Sequence, residues 1–193
     1  MSGRFNKEQY RVLVIGGSAG SFPSVSRILE QLPENYRLPV VMCLHRLRDK
    51  REGFKEALEI KSRMPVSEPN DKDPIESAHV YIAPANYHLL VEKPRMFGLA
   101  ITELVQYSRP SIDVLFESAA DVLKGHVLAV LLSGANRDGG LGMKRIHDKG
   151  GYTVVQDPAT CSMNTMPQAA LDLTPVDRVL DLDKIIEFLV DLH

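Results

Sequence analysis

The chain has 193 residues, the size of one domain with a single core of useful volume. Its 23 basic and 25 acidic side chains leave a net charge of −2, so charge alone makes no case for nucleic acid or an anionic membrane as partner. The 44% hydrophobic and 25% charged fractions are those of a soluble globular domain. No apolar run is long enough to span a bilayer, and the N-terminus has no apolar leader segment, so the expected location is the cytoplasm. Cys43 and Cys161 are too few for a disulfide framework, and Cys43, inside an apolar run, reads as a buried free thiol. Tryptophan is absent, so the core must be mostly aliphatic.

Residues 1–10 form a short polar extension. Residues 11–15 (Arg-Val-Leu-Val-Ile) hold a short run rich in β-branched residues, a buried-strand candidate that ends in Gly16 and Gly17. Residues 22–32 carry Val25, Ile28, Leu29 and Leu32 at helical spacing. A second apolar strand follows at 39–44, and 53–63 is polar but helix-prone. Three strand-like runs at 79–84, 87–92 and 96–102 are joined by short turns, which predicts an antiparallel meander at one sheet edge. Residues 112–123 read as a helix with Ser111 as N-cap after Pro110. A third apolar strand at 127–132 leads through a glycine-rich turn to a helix at 140–149. A strand at 152–155 and a helix at 185–192 complete the chain. Continuous apolar strands joined through helices predict a doubly wound, mostly parallel α/β sheet with helices on both faces. No linker divides residues 1–193, which read as one domain.

In such sheets, sites form at the carboxyl ends of the strands. The first strand ends in Gly16-Gly17-Ser18-Ala19-Gly20, a G-x-S-x-G elbow between strand and helix. Small residues let the chain turn sharply with the Ser18 hydroxyl outward, and the Ala19 N–H lies where it could stabilise an oxyanion. A plain helix-capping turn fits the same residues. A dinucleotide loop does not, because G-x-G-x-x-G needs glycine where Ser18 or Ile15 stands. The second strand ends in His45, a general base for Ser18 or else a surface histidine at a loop start. The third ends in a turn that carries Asp138, able to orient an imidazole or to cap the helix that follows. His88 sits in a hairpin, where it could line a cleft. The histidines show no metal-ligand spacing such as H-E-x-x-H. The order Ser18, His45, Asp138 differs from the Ser, Asp, His order of α/β-hydrolases, but a triad is defined by geometry.

From Arg11 to His193 the chain resembles the catalytic domain of the chemotaxis protein-glutamate methylesterase (CheB) family. The segments that carry the resemblance are Ile15-Gly16-Gly17-Ser18, His45 after its strand, and Val80-Tyr81-Ile82-Ala83-Pro84 with His88. Arg109-Pro110-Ser111-Ile112-Asp113, Leu132-Ser133-Gly134 leading to Asp138-Gly139, Gly150-Gly151, Gln156-Asp157 and Met166-Pro167 complete it. The resemblance implies a serine hydrolase that demethylates glutamate side chains of chemoreceptors and also deamidates glutamine. By position it makes Ser18 the nucleophile, His45 the base, Asp138 its partner and the Ala135 backbone N–H an oxyanion donor.

The chain departs from the family pattern at four places. Ala19 stands for threonine, Gly20-Ser21 for Gly-Gly, Gly134-Ala135-Asn136 for Gly-Met-Gly, and Thr165 for glycine. The family enzyme usually carries an N-terminal receiver domain, for which the residues before the first strand leave no room. The implied partner is a methylated chemoreceptor or a similar helical signalling protein. Either the protein is a free-standing esterase domain or its regulator lies elsewhere, in a separate receiver protein, methyltransferase or kinase array, and the resemblance implies no metal or organic cofactor. Two other readings stay open: a signalling module of the same fold with little or no catalysis, and an esterase for another acyl substrate.

Overall fold

The computed structural model describes residues 5–45 and 53–193. The first four residues of the expected extension and the segment after His45 lie outside them. Seven strands form one parallel sheet: β1 (Val12–Gly17), β2 (Val40–Leu44), β3 (Val66–Ser67), β4 (Val80–Ile82), β7 (Val127–Leu131), β8 (Tyr152–Gln156) and β9 (Arg178–Leu180). A separate antiparallel pair comprises β5 (His88–Glu92) and β6 (Met96–Ala100). The helices are α1 (Phe22–Gln31), α2 (Phe54–Glu59), α3 (Ile112–Leu123), α4 (Gly140–Asp148), α5 (Thr165–Leu173) and α6 (Leu182–Val190).

The sheet order is β3-β4-β2-β1-β7-β8-β9. The chain starts in the middle, builds outward on one side through β2, then returns to build the other side from β7. The switch between β1 and β7 opens a crevice at the strand ends. Every residue of β1, β2 and β7 is buried, because helices cover both faces. Side-chain alternation divides the apolar residues into two cores. Leu13, Ile15, Val40, Met42, Leu128 and Val130 face α1 and α6. Val14, Val41, Cys43, Ala129 and Leu131 face α3 to α5 and the β5–β6 hairpin. Phe5, in the expected extension, packs against Tyr10, Tyr152 and Phe188.

The parallel sheet and the antiparallel element are both present, but the antiparallel element is not a three-stranded edge. The first of its three runs, β4, joins the main sheet in parallel between β3 and β2. Only β5 and β6 pair as a hairpin, and they lie on α3. A three-residue apolar run carries no sign of its partner's direction.

The buried Asp113, in the first turn of α3, ties that helix to α4. Its Oδ1 accepts hydrogen bonds from the N–H groups of Gly139 (2.9 Å) and Gly142 (2.7 Å). These are free donors at the start of α4, whose N-cap Gly139 has no side chain to satisfy them. Gly139 sits at φ +97°, a left-handed conformation that glycine adopts without strain. Asp113 Oδ2 is buried with no partner among the described residues. Burial pushes the carboxyl up to about 7, against the lowering effect of the Gly142 N–H and with help from the neighbouring Asp138. A raised carboxyl favours folding while it is protonated. That contribution is complete below the ordinary value of 3.8 and is lost as pH rises to about 7. Asp113→Asn keeps the acceptor and removes the titration. The melting temperature of the variant should therefore gain several degrees on the parent between about pH 4 and about pH 8. A gap that does not change with pH would show that Asp113 does not titrate in this window.

Candidate active site

Ser18 and His45 are brought together by strand register. Gly17 pairs with Leu44 across β1 and β2, so the residues that follow lie side by side at adjacent strand ends, about 4.8 Å apart in backbone spacing. The His45 N–H donates to Gly17 O at 3.0 Å, which carries the register one step beyond the sheet. On the other side of β1, the Ser18 N–H donates to Ser133 O at 3.2 Å, at the end of β7. Ser18 therefore stands between the two loops that carry His45 and Asp138.

The turn after Ser18 is a tight one. Its carbonyl accepts the Ser21 hydroxyl at 2.6 Å and the Ser21 N–H at 2.9 Å. A Cβ on Gly17 would come within 2.3 Å of the Ser21 hydroxyl oxygen, so any side chain at Gly17 would push this turn apart. Ala19 opens the short 3-10 turn Ala19–Ser21 that leads into α1, so its N–H points from a helical N-terminus. Ser18 is half-buried.

Asp138 is fully buried and gathers four donors. Its Oδ1 accepts the Ser111 hydroxyl (2.8 Å) and the Asp113 N–H (2.9 Å). Its Oδ2 accepts the Ile112 N–H (2.7 Å) and His45 Nε2 (2.7 Å). Burial works to raise this carboxyl, but the bonds from His45, Asp113 and Ile112 outweigh it and hold it below the usual carboxylate range. An ionised carboxylate only accepts, so Nε2 must carry the imidazole proton. Nδ1 is left with its lone pair, the form a general base needs. Asp138 thus caps α3, which precedes it in the chain, and not α4, the helix that follows it.

The loop that bears Asp138 is fastened at several points. The Ser133 N–H donates to Gln156 Oε1 at 3.1 Å, and the Gly134 N–H to Met163 O at 3.0 Å. Ala135 is exposed, and its N–H has no partner among the described residues. Asn136, which stands at the last glycine of the family's Gly-Met-Gly pattern, turns its side-chain oxygen to the Asp138 N–H at 3.2 Å. His88 does not line a cleft. It is buried, with Nδ1 accepting the Ser111 N–H at 3.2 Å and Nε2 donating to Glu103 O at 2.9 Å. It supports the segment that supports Asp138. Among the described residues, no three His, Cys, Asp or Glu side chains are grouped to hold a metal ion. Burial pushes the Cys161 thiol up to about 11, so it stays protonated near neutral pH.

Asp138→Ala would strand two buried N–H groups, a hydroxyl and an imidazole N–H. At about 1–3 kcal/mol per stranded donor, with partial relaxation, urea unfolding should report a loss of about 3 kcal/mol. A loss under about 1 kcal/mol would mean that water replaces the carboxylate.

The CheB methylesterase family model matches residues 13–189. A Leptospira interrogans protein named as a candidate protein-glutamate methylesterase/protein-glutamine glutaminase is 44% identical over 184 residues, covering 95% of each chain. A Carboxydothermus hydrogenoformans protein-glutamate methylesterase/protein-glutamine glutaminase is 36% identical, and the match covers 94% of this chain but 55% of that protein. The crystal structure of the Thermotoga maritima CheB methylesterase catalytic domain superposes with a TM-score of 0.89 at 29% identity, covering 95% of this chain and 99% of that one. With family, relatives and fold in agreement along nearly its whole length, the chain belongs to the CheB methylesterase family.

Proposed function

We propose that the protein is a serine methylesterase acting on methylated glutamate side chains of chemoreceptor-type signalling proteins, and that it also deamidates glutamine. The observation that carries this reading is the 2.7 Å bond between His45 Nε2 and the buried Asp138, beside a serine at the neighbouring strand end. The names of the relatives supply the substrate class.

In this mechanism the Ser18 hydroxyl attacks the ester carbonyl carbon while His45 Nδ1 takes its proton. The negative charge moves to the carbonyl oxygen, where the Ala135 and Ala19 N–H groups would receive it. His45 returns the proton to the methoxy oxygen, and methanol leaves. Water then repeats the sequence on the acyl-enzyme and releases glutamate with Ser18 restored. With glutamine the leaving group is ammonia. Asp138 stabilises the imidazolium that forms twice in each cycle. No helix among the described residues is long and apolar enough to cross a membrane.

Methanol release from a methylated receptor measures this directly. Ser18→Ala should lower the rate by at least about a thousandfold without moving the melting temperature. If the variant keeps parental turnover, Ser18 is not the nucleophile. Parental protein that releases no methanol but hydrolyses small esters would point instead to another acyl substrate.

A further inference from the structure

Asn136 occupies the space in front of the base. Its orientation is fixed from behind, because its oxygen accepts the Asp138 N–H at 3.2 Å. The amide nitrogen must then face outward. It lies 3.4 Å from His45 Nδ1, 3.3 Å from Ser108 Oγ and 3.5 Å from Gln106 O. Nδ1 has one lone pair, since the proton is held on Nε2 by Asp138. The mechanism proposed above needs that same lone pair to take the Ser18 proton, and the contact within reach of it here is the Asn136 N–H. All three amide contacts lie at the long end of hydrogen bonding, so the nitrogen can leave Nδ1 and keep its other two partners.

Those two partners belong to a small turn, in which Val105 and Ser108 exchange hydrogen bonds of 3.1 and 2.8 Å. Its central residues, Gln106 and Tyr107, both adopt left-handed conformations at φ 49° and 62°, with no glycine to make that easy. Tyr107 is 95% exposed at the tip, and Ile101 and Leu104 are exposed on the approach. The turn is an outward-facing apolar handle tied to the Asn136 amide.

We propose that Asn136 is a specificity-determining positioning residue: it competes with Ser18 for the His45 lone pair and yields when a protein substrate seats against the Tyr107 turn. The proposal rests on the Ser18 and His45 assignment above. Small esters do not reach the turn and meet a base that is engaged for much of the time. A methylated protein reaches it and draws the amide towards Ser108 and Gln106. The apparent rate on a small ester is then reduced by the fraction of molecules with a free base.

The test is kinetic and uses Asn136→Ser. Serine can still accept the Asp138 N–H but is too short to touch His45. On p-nitrophenyl acetate, kcat should rise about five- to tenfold with KM unchanged. On the methylated receptor, kcat should change less than about twofold, so the preference for protein falls by the same factor as the small-ester gain. An unchanged or lower kcat on the small ester overturns the proposal. So does an equal gain on both substrates. If the serine variant melts well below the parent, Asn136→Gly carries the same expectations. The unsubstituted protein gives a reading independent of both variants. Nitrogen-15 spectra of neutral His45 must show Nδ1 without a proton, and a protonated Nδ1 overturns the proposal. A Ser18→Ala enzyme that remained active would sink the underlying assignment. An inactive Ser18→Ala with no Asn136 effect would sink only this inference.

Discussion

One buried carboxylate organises the strand ends of this molecule. Asp138 receives a histidine, a serine hydroxyl and two backbone N–H groups, and each donor comes from a segment distant in sequence. Burying a carboxylate is costly unless it is fully hydrogen-bonded. Here the N-terminus of α3 supplies three of the four donors, together with the favourable end of its dipole. The fourth donor is the imidazole, whose tautomer the carboxylate fixes. Helix capping and the fixing of the His45 tautomer are therefore the same set of bonds.

The arrangement is reciprocal. Asp138, at the threshold of α4, closes the start of α3, while Asp113 in α3 closes the start of α4. Two carboxyls so close in a dry site cannot both ionise freely. Their environments separate them: Asp138 has four donors and stays charged, whereas Asp113 has two donors on one oxygen and none on the other. The clasp therefore has an ionised half that faces His45 and a half that holds its proton more tightly than usual. His88 steadies both by bonding the Ser111 N–H from below.

Much of the frame was legible in the sequence because it depends on local signals. The apolar runs of β1, β2 and β7 announced buried strands, and α3 runs from Ile112 to Leu123 as its Pro110-Ser111 start predicts. Other elements had no such signal. Strand β9 is three residues long and largely exposed, and β3 has only two residues, so neither shows a period. Helix α5 starts without a side-chain cap. The position of Ser18 beside His45 follows from register, which apolar strand ends suggest but do not prove. Asp138 fitted two readings, an orienting partner for an imidazole or a cap for the helix after it, since capping motifs are read locally. Three of its four donors lie 25 to 27 residues earlier and His45 lies 93 residues earlier, and only packing joins them. Asn136 stood out only as a departure from Gly-Met-Gly, and its contacts come from two loops meeting in space.

The sheet order also bears on how the protein is made. β1 precedes β2 and β7 in the chain, yet in the finished sheet it lies between them. Its second edge stays open until residues 127–131 have been synthesised. His45 is likewise exposed well before Asp138 exists to fix its proton. The central strand and the imidazole tautomer are therefore completed together, by the same late segment. The Asp138–His45 pair exists only once β7 and its loop have closed on β1.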